Sequence, residues 1–280
     1  MSVGDYYLVV HENGSTSVGC RQVGEVMHPI VGPSVEAHEL YVAGLKLRER
    51  FAERRSLCIW DIGMGAAANA LTAAQALRDL PGKLQIISFD RTASALAFAR
   101  ANAAKFGYLK DCIQSLDALL LDGRTELELD GLLVEWTYRE GEFLDQLTGE
   151  WPEPEVIFFD AWSPLKNPGM WTLEVFAELH RQLKRPCSLA TYSRATCVRS
   201  ALLLAGFYVG QGLGVGAKEE STIAATELEL LDSPLPASWL ARAERSHSGR
   251  PLLADRFEQV PLPAEMLEQL RNHPQFRVDA

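Results

Sequence analysis

The sequence predicts an α/β fold of the Rossmann-like kind, a mostly parallel sheet closed at one edge by an antiparallel hairpin. Three observations predict it. From residue 57 onward, apolar runs bounded by turn residues alternate with amphipathic stretches, as strand–helix units do. The last two apolar runs, 207–212 and 222–229, are separated by a Gly-rich turn with no helix between them, so they pair with each other. The 280 residues, 47% of them apolar, suffice for one sizeable core.

Each element follows from its pattern. Residues 57–63 (LCIWDIG) form a first buried strand, and the Ala-rich stretch 66–80 is its helix. Residues 84–90 (LQIISFD) are a second strand; 92–106 is a helix, because Leu96, Ala99, Ala103 and Phe106 recur at three- and four-residue steps. A third strand at 132–136 leads to a short helix at 142–147. Strand 156–162 (VIFFDAW), helix 171–183, strand 188–192 and helix 195–205 complete the alternation. Before this core (56–231) lies an N-terminal extension, 1–55, with a hairpin at Asn13–Gly14 and a helix over 34–51. After it, residues 232–280 form a Pro-punctuated extension with two short helical patches. Both extensions are expected to pack on the one core.

Composition excludes several classes. With 47% apolar and 23% charged residues the chain is not disordered, and no apolar run reaches membrane-spanning length. Residues 1–14 lack the basic-then-apolar pattern of a secretory signal. Five scattered cysteines (Cys20, Cys58, Cys112, Cys187, Cys197), never in a C-x-x-C pair, predict neither a disulfide framework nor a metal site. A reducing cytoplasm is the expected location. The net charge of −10 taken alone argues against a nucleic-acid binder. Its distribution says more. Residues 121–160 hold twelve acidic residues against Arg124 and Arg139, whereas no Asp or Glu lies between Leu179 and Lys218, where Arg181, Lys184, Arg185, Arg194 and Arg199 fall. That stretch reads either as a solvated face or as a surface suited to phosphates.

The loops carry the chemistry. The first strand runs into Asp61-Ile-Gly-Met-Gly-Ala-Ala-Ala-Asn69, where Gly63 and Gly65 let a ligand approach the backbone ahead of a helix N-terminus. Asp90 ends the second strand, placed to accept ribose hydroxyls. G-x-G with one acid fits dinucleotide and adenosyl ligands alike. Three details lean toward S-adenosylmethionine: Asp61 precedes the glycines, where it can reach an ammonium; the third glycine of the dinucleotide fingerprint is absent; and Glu140 is placed to reach an adenine amino group. These point to a class I S-adenosylmethionine-dependent methyltransferase core. The competing reading is a tight turn, a helix cap and solvated acids. The fourth strand ends in Asp160-Ala-Trp-Ser-Pro-Leu-Lys-Asn-Pro-Gly-Met-Trp171. A carboxylate there sits where open α/β sheets bind ligands, Trp162 offers a stacking face, and two prolines stiffen the loop. Trp162 reads equally well as packing beneath the loop, and Trp171 reads better so.

The run DAWSPLKNPGMW resembles the D-G-F-A-P-x-K-N-P-x-M-W signature of the tRNA 5-methylaminomethyl-2-thiouridine methyltransferases, found alone (MnmD type) or within bifunctional MnmC. GEVMHPIVGPSVEAHELYV is similar to that family's N-terminal segment at Glu25, His28, Gly32, Glu36 and Ala37. DIGMGAAAN is similar to its E-x-G-F-G-T-G-L-N loop at Gly63, Gly65 and Asn69, and SLATYSRATCVRSALLLAGFYV to its later strand and helix at Thr191, Val198, Arg199, Leu202, Ala205, Gly206 and Phe207. The resemblance covers residues 20–228. Departures are Ala161 and Ala67 for two family glycines, Met27 for a tyrosine, and Lys218-Glu-Glu-Ser for K-R-E-M.

The resemblance implies N-methylation of an aminomethyl group on the wobble uridine of tRNA. It implies S-adenosylmethionine as cofactor, held by Asp61, Gly63, Gly65, Asn69, Asp90 and Glu140. Asp160 is then the catalytic residue, accepting the amine's proton or holding its lone pair toward the methyl, and Trp162, Lys166, Asn167, Arg199 and Lys218 face the tRNA anticodon loop. No metal is needed. No FAD domain follows in this sequence, so the chain is expected to lack the second activity of the bifunctional enzymes, and a separate FAD-dependent oxidoreductase in the same pathway is a candidate partner. Two alternatives stay open: the same fold acting on a small amine or another RNA, and a non-catalytic cofactor-binding relative. His28 reads as a structural histidine or as a group touching acceptor or cofactor.

Overall fold

The computed structural model describes residues 1–28, 31–216, 219–254 and 256–277. The chain begins with a small antiparallel sheet of β1 (Tyr6–Val10), β2 (Thr16–Cys20) and β3 (Glu25–Val26). The expected hairpin turn is present, with Gly14 at φ 80° and the Asn13 side chain accepting from the Ser15 amide at 3.0 Å. The helix expected over 34–51 is broken. α1 (Pro33–Ala37) runs into a π-helical turn at His38–Ala43, and α2 (Leu47–Arg54) starts only after Lys46, which sits at φ 52°. Three successive residues, Leu40, Tyr41 and Val42, are buried, more than one stripe of a straight helix can bury.

The core elements follow in alternation: β4 (Ser56–Ile62), α3 (Ala68–Leu77), β5 (Gly82–Asp90), α4 (Ser94–Ala101), α5 (Ile113–Asp122), β6 (Arg124–Leu129), β7 (Leu132–Glu140), α6 (Phe143–Gln146), β8 (Val156–Phe159), α7 (Leu173–Gln182), β9 (Ser188–Thr191), α8 (Thr196–Leu204), β10 (Tyr208–Leu213) and β11 (Glu220–Ala225). They form one eight-stranded sheet in the order β10-β11-β9-β8-β4-β5-β7-β6. β7, β5, β4, β8 and β9 are parallel, and β11 runs antiparallel between β9 and β10, the expected closing hairpin. The central strands read as continuous apolar runs because helices cover both faces. Leu57 and Ile59 of β4 enter one hydrophobic cluster, Cys58, Trp60 and Ile62 the other.

Several bounds differ from expectation. α4 ends at Ala101 and short 3-10 turns carry the chain on to Leu109, while β7 runs four residues further than expected, to Glu140. β8 stops at Phe159, which releases residues 160–162 into the following loop. α5 and β6 were not expected. The C-terminal extension is stitched on by α9 (Trp239–Arg245), α10 (Ala264–Arg271) and the buried side chain of Gln275. That side chain bonds both main-chain groups of Val209 and the carbonyl of Leu235. Among the described residues no helix is long and apolar enough to cross a membrane.

From β4 the chain winds outward through β5 and β7, then returns to β8 on the other side. The carboxyl ends of β4 and β8 therefore flank the switch point where open α/β sheets bind ligands. There Gly63, at φ 89°, lies so close to the next strand that an added Cβ would stand 2.6 Å from the Asp160 carbonyl oxygen and 2.9 Å from the Ala161 nitrogen. Gly63→Ala is expected to destabilise by about 2–5 kcal/mol, from left-handed strain plus overpacking against main chain. Urea unfolding measures this, and a cost below about 1 kcal/mol would contradict the close approach.

Candidate active site

The carboxyl edge of the sheet encloses a cavity of about 470 Å³, within the range of small-molecule sites. Its walls come from the loop after β4, the ends of β5 and β7, the loop after β8, Tyr192 after β9, and the N-terminal extension. Gly63 and Gly65 line it, and the Gly65 amide donates to Asp90 Oδ2 at 2.9 Å, tying the glycine loop to the end of β5. Burial raises the pKa of Asp90, opposed by the main-chain amides of Gly65, Thr92 and Arg91. The amide of Thr92 lies 3.4 Å from Oδ1, a long bond that leaves this oxygen acceptor capacity. Ala67, where the resemblance has a glycine, holds the left-handed conformation at φ 64° ahead of α3. An alanine there costs about 1–2 kcal/mol.

Two expected cofactor contacts are corrected. Asp61 is 0% exposed and lies within the sheet, not on the cavity wall. Its Oδ2 accepts from Ser88 Oγ at 2.7 Å, which accepts in turn from Trp136 Nε1 at 2.9 Å, while Oδ1 has no hydrogen-bond partner among the described residues. Burial, with the nearby charges of Asp160 and Asp90, pushes its carboxyl up to about 7 against the Ser88 hydrogen bond and His28. Asn69 is likewise buried, and its Nδ2 donates to Asp160 Oδ2 at 2.7 Å. It holds the carboxylate instead of facing the cavity. Glu140 is exposed at the end of β7, in register with Asp90, and accepts from the Tyr138 hydroxyl at 3.3 Å; its neighbours Gly141 and Phe143 line the cavity there.

Asp160 leaves β8 with its amide bonded to the Ile62 carbonyl at 2.8 Å and reaches the cavity. Burial raises its pKa; His28, Asn69 and Tyr41 oppose this, and Glu36 adds to it. The following loop is stitched from several sides. Tyr192 donates to the Ala161 carbonyl at 2.9 Å, the Ser163 amide donates to Glu25 Oε2 at 3.2 Å, and Ser163 Oγ donates to Glu25 Oε1. Trp162, Lys166 and Asn167 line the cavity, so the structure brings these three expected residues together with Asp160. Trp171 is fully buried, its Nε1 donating to the Trp162 carbonyl at 2.8 Å, and so packs beneath the loop.

Arg199 is a further correction. Its side chain is 1% exposed and bonds Thr222 Oγ1 (3.0 Å), the Ser221 carbonyl (2.9 Å) and Glu220 Oε1 (3.2 Å). A guanidinium spent on α8–β11 packing cannot meet a phosphate. Lys218 lies outside the described residues. Sequence reasoning assigned no role to Tyr41 and Tyr192, and it placed Glu25 and Glu36 only as matching positions. Glu25, Glu36 and Tyr192 line the cavity from separate elements and Tyr41 is buried behind it, so no single local motif contains them all.

A family model described as S-adenosyl-L-methionine-dependent methyltransferase matches residues 137–227, from the end of β7 through the hairpin. The bifunctional protein MnmC of tRNA 5-methylaminomethyl-2-thiouridine biosynthesis from Ralstonia nicotianae is 30% identical over 244 residues, 84% of this chain and 35% of that protein. Its counterpart from Azoarcus is 31% identical over 203 residues, covering 70% and 32%. The chain thus spans about a third of the length of these curated relatives. The crystal structure of MnmC2 from Aquifex aeolicus superposes with a TM-score of 0.71 at 23% identity, over 96% of this chain and 83% of that one, and shows the same fold.

Fold, site and matches define an S-adenosyl-L-methionine-dependent methyltransferase. Within that class the chain is similar, at 30% identity over 84% of its length, to the MnmC proteins. The residues present fit the cofactor: a side-chain-free backbone at Gly63 and Gly65, a carboxylate with spare acceptor capacity at Asp90, and a cavity of suitable volume walled by Met27, Phe89 and Phe143.

Asp61 yields a test. A carboxyl whose folded-state pKa is raised holds a proton that the unfolded chain has lost, so stability falls as pH rises from about 4 to about 7. Asp61→Asn is expected to gain on the wild type progressively across that window and to keep a constant difference above it. Urea unfolding between pH 4 and 8 measures the difference; a pH-independent one would place Asp61 ionised throughout.

Proposed function

We infer that the chain methylates the aminomethyl nitrogen of a modified wobble uridine in tRNA, with Asp160 taking the proton. The observation that carries this reading is the Asp160 carboxylate, held by Asn69 at 2.7 Å on the wall of the cavity that also exposes Trp162, Lys166 and Asn167. The family relation supports the acceptor, since the relatives are named for tRNA 5-methylaminomethyl-2-thiouridine biosynthesis.

S-adenosyl-L-methionine supplies a methyl group on a sulfonium, an electrophile whose C–S bonding pair stays with sulfur as the new N–C bond forms. The protein's contribution is position and proton. Gly63, Gly65, Asp90 and Glu140 are assigned to hold the cofactor. A primary amine attacks only when neutral. Asp160, raised by burial toward the amine's range, accepts the N–H proton at its carboxylate. Trp162 stacks on the base, and Lys166 with Asn167 holds the backbone beside it. The setting is the cytoplasm, with a separate FAD-dependent oxidoreductase acting on the same nucleoside. A small amine is the second reading, favoured by the burial of Arg199, which removes one cation counted toward an RNA face.

Labelled cofactor incubated with tRNA from a strain lacking this gene is expected to transfer methyl to the wobble nucleoside. Asp160→Asn should leave S-adenosylhomocysteine affinity near wild type in calorimetry while turnover falls by about two orders of magnitude or more. Unchanged turnover would remove Asp160 from the mechanism. Lys166→Ala should weaken tRNA binding and lower the salt slope by about one counterion. Methyl transfer to small amines that ignores both salt and this substitution would favour the second reading.

A further inference from the structure

The N-terminal extension carries a polar pair into the cavity that neither the cofactor nor the acceptor assignment uses. His28 Nδ1 lies 3.1 Å from Glu36 Oε2, and the two side chains are only 11% and 13% exposed. The backbone at His28 is left-handed, φ 52°, a conformation that is uncommon outside glycine and is kept where surroundings enforce it. Here the Ser17 hydroxyl donates to the His28 carbonyl at 3.1 Å, and the Met27 amide bonds Val18 at 2.8 Å, so the ring is turned inward by the small sheet behind it. The titratable groups around this pair among the described residues are Tyr41 from the π-helical turn, Asp61 from β4, Asp160 after β8 and Tyr192 after β9, with Glu25 and Lys166 on the same cavity wall. Carboxylates dominate that set, so a cation among them is stabilised.

We propose that His28 and Glu36 are positioning residues: Glu36 orients the imidazole and keeps it protonated, and the cation so held faces Asp160, which therefore meets the acceptor amine as a carboxylate. This rests on the reading of Asp160 as proton acceptor. Burial lowers the pKa of His28, but the Glu36 hydrogen bond and the charges of Asp160, Glu36 and Asp61 raise it above the ordinary histidine value. The same cation is the largest influence opposing the burial of Asp160. Asn69 then fixes the geometry of that carboxylate and His28 its charge.

The test is an NMR titration of histidine-labelled protein, with the His28 signal assigned by its loss in His28→Asn; asparagine tolerates the left-handed backbone. The His28 midpoint is expected above its ordinary value in the wild type and lower by about one pH unit in both Glu36→Gln and Asp160→Asn. A midpoint unmoved by Asp160→Asn, or an ordinary one in the wild type, overturns the proposal. The catalytic consequence is read from kcat/KM against pH with tRNA. In His28→Asn the acid limb should move up by about one unit, a loss of about tenfold on the limb that recovers at higher pH. A uniform loss at all pH values marks packing alone and overturns the proposal as well. The titration needs no acceptor. Coupled midpoints in a wild type that methylates no tRNA would therefore refute the acceptor reading and leave the pair standing.

Discussion

The site hangs on how closely two strand ends approach. β4 and β8 are adjacent and parallel, and at their carboxyl ends the main chain of Asp160 sits where any side chain on Gly63 would have to go. That contact puts the glycine loop and the functional carboxylate on one rigid platform, with the Asp160 amide bonded to Ile62 and the Gly63 amide bonded to Phe89. Neither loop can move without the other, so a group lying along the glycines and a group meeting Asp160 share one frame of reference. For a displacement reaction, whose rate depends on alignment, that shared frame is the protein's main instrument.

Around this platform the protein gathers partly or fully buried acids and manages each differently. Asp90 is held by main-chain amides, Glu25 by the amide and hydroxyl of Ser163, Asp160 by an asparagine, and Glu36 by a histidine. Asp61 is bonded by one hydroxyl, and burial raises its pKa.

Much of this was legible in the sequence, for physical reasons. β4, β5 and β8 are covered on both faces and so appear as unbroken apolar runs with their functional residues at the end. β6 was hidden because it is an edge strand whose sequence, RTELEL, alternates charged and apolar residues and resembles a solvated turn. α5 was hidden by the unbroken apolar run from Ala118 to Leu121, whose last residue is 83% exposed. The break in the helix over 34–51 turns on Lys46, a residue type that does not announce a left-handed backbone. Arg199 was misjudged because a cation in an acid-free stretch reads as surface, while its acid partner, Glu220, comes from the far side of the closing hairpin. The His28–Glu36 pair spans eight residues and two elements, and only the fold gives it a target.

The sheet order also turns a pattern along the chain into one in space. The acid-rich residues 121–160 build β6, β7 and the approach to β8, whereas the acid-free stretch builds β9, α8 and β10 at the opposite edge. Formal charge is therefore spread unevenly across the strands, and Arg181, Arg185 and Arg199 on the basic side are ion-paired with Glu178, Glu153 and Glu220. A polyanion arriving in solution feels a torque before it feels a contact, and is turned so that its charge trails toward β10. Such steering acts on the rate of encounter rather than on the strength of the final grip, and it fades as the Debye length contracts with added salt.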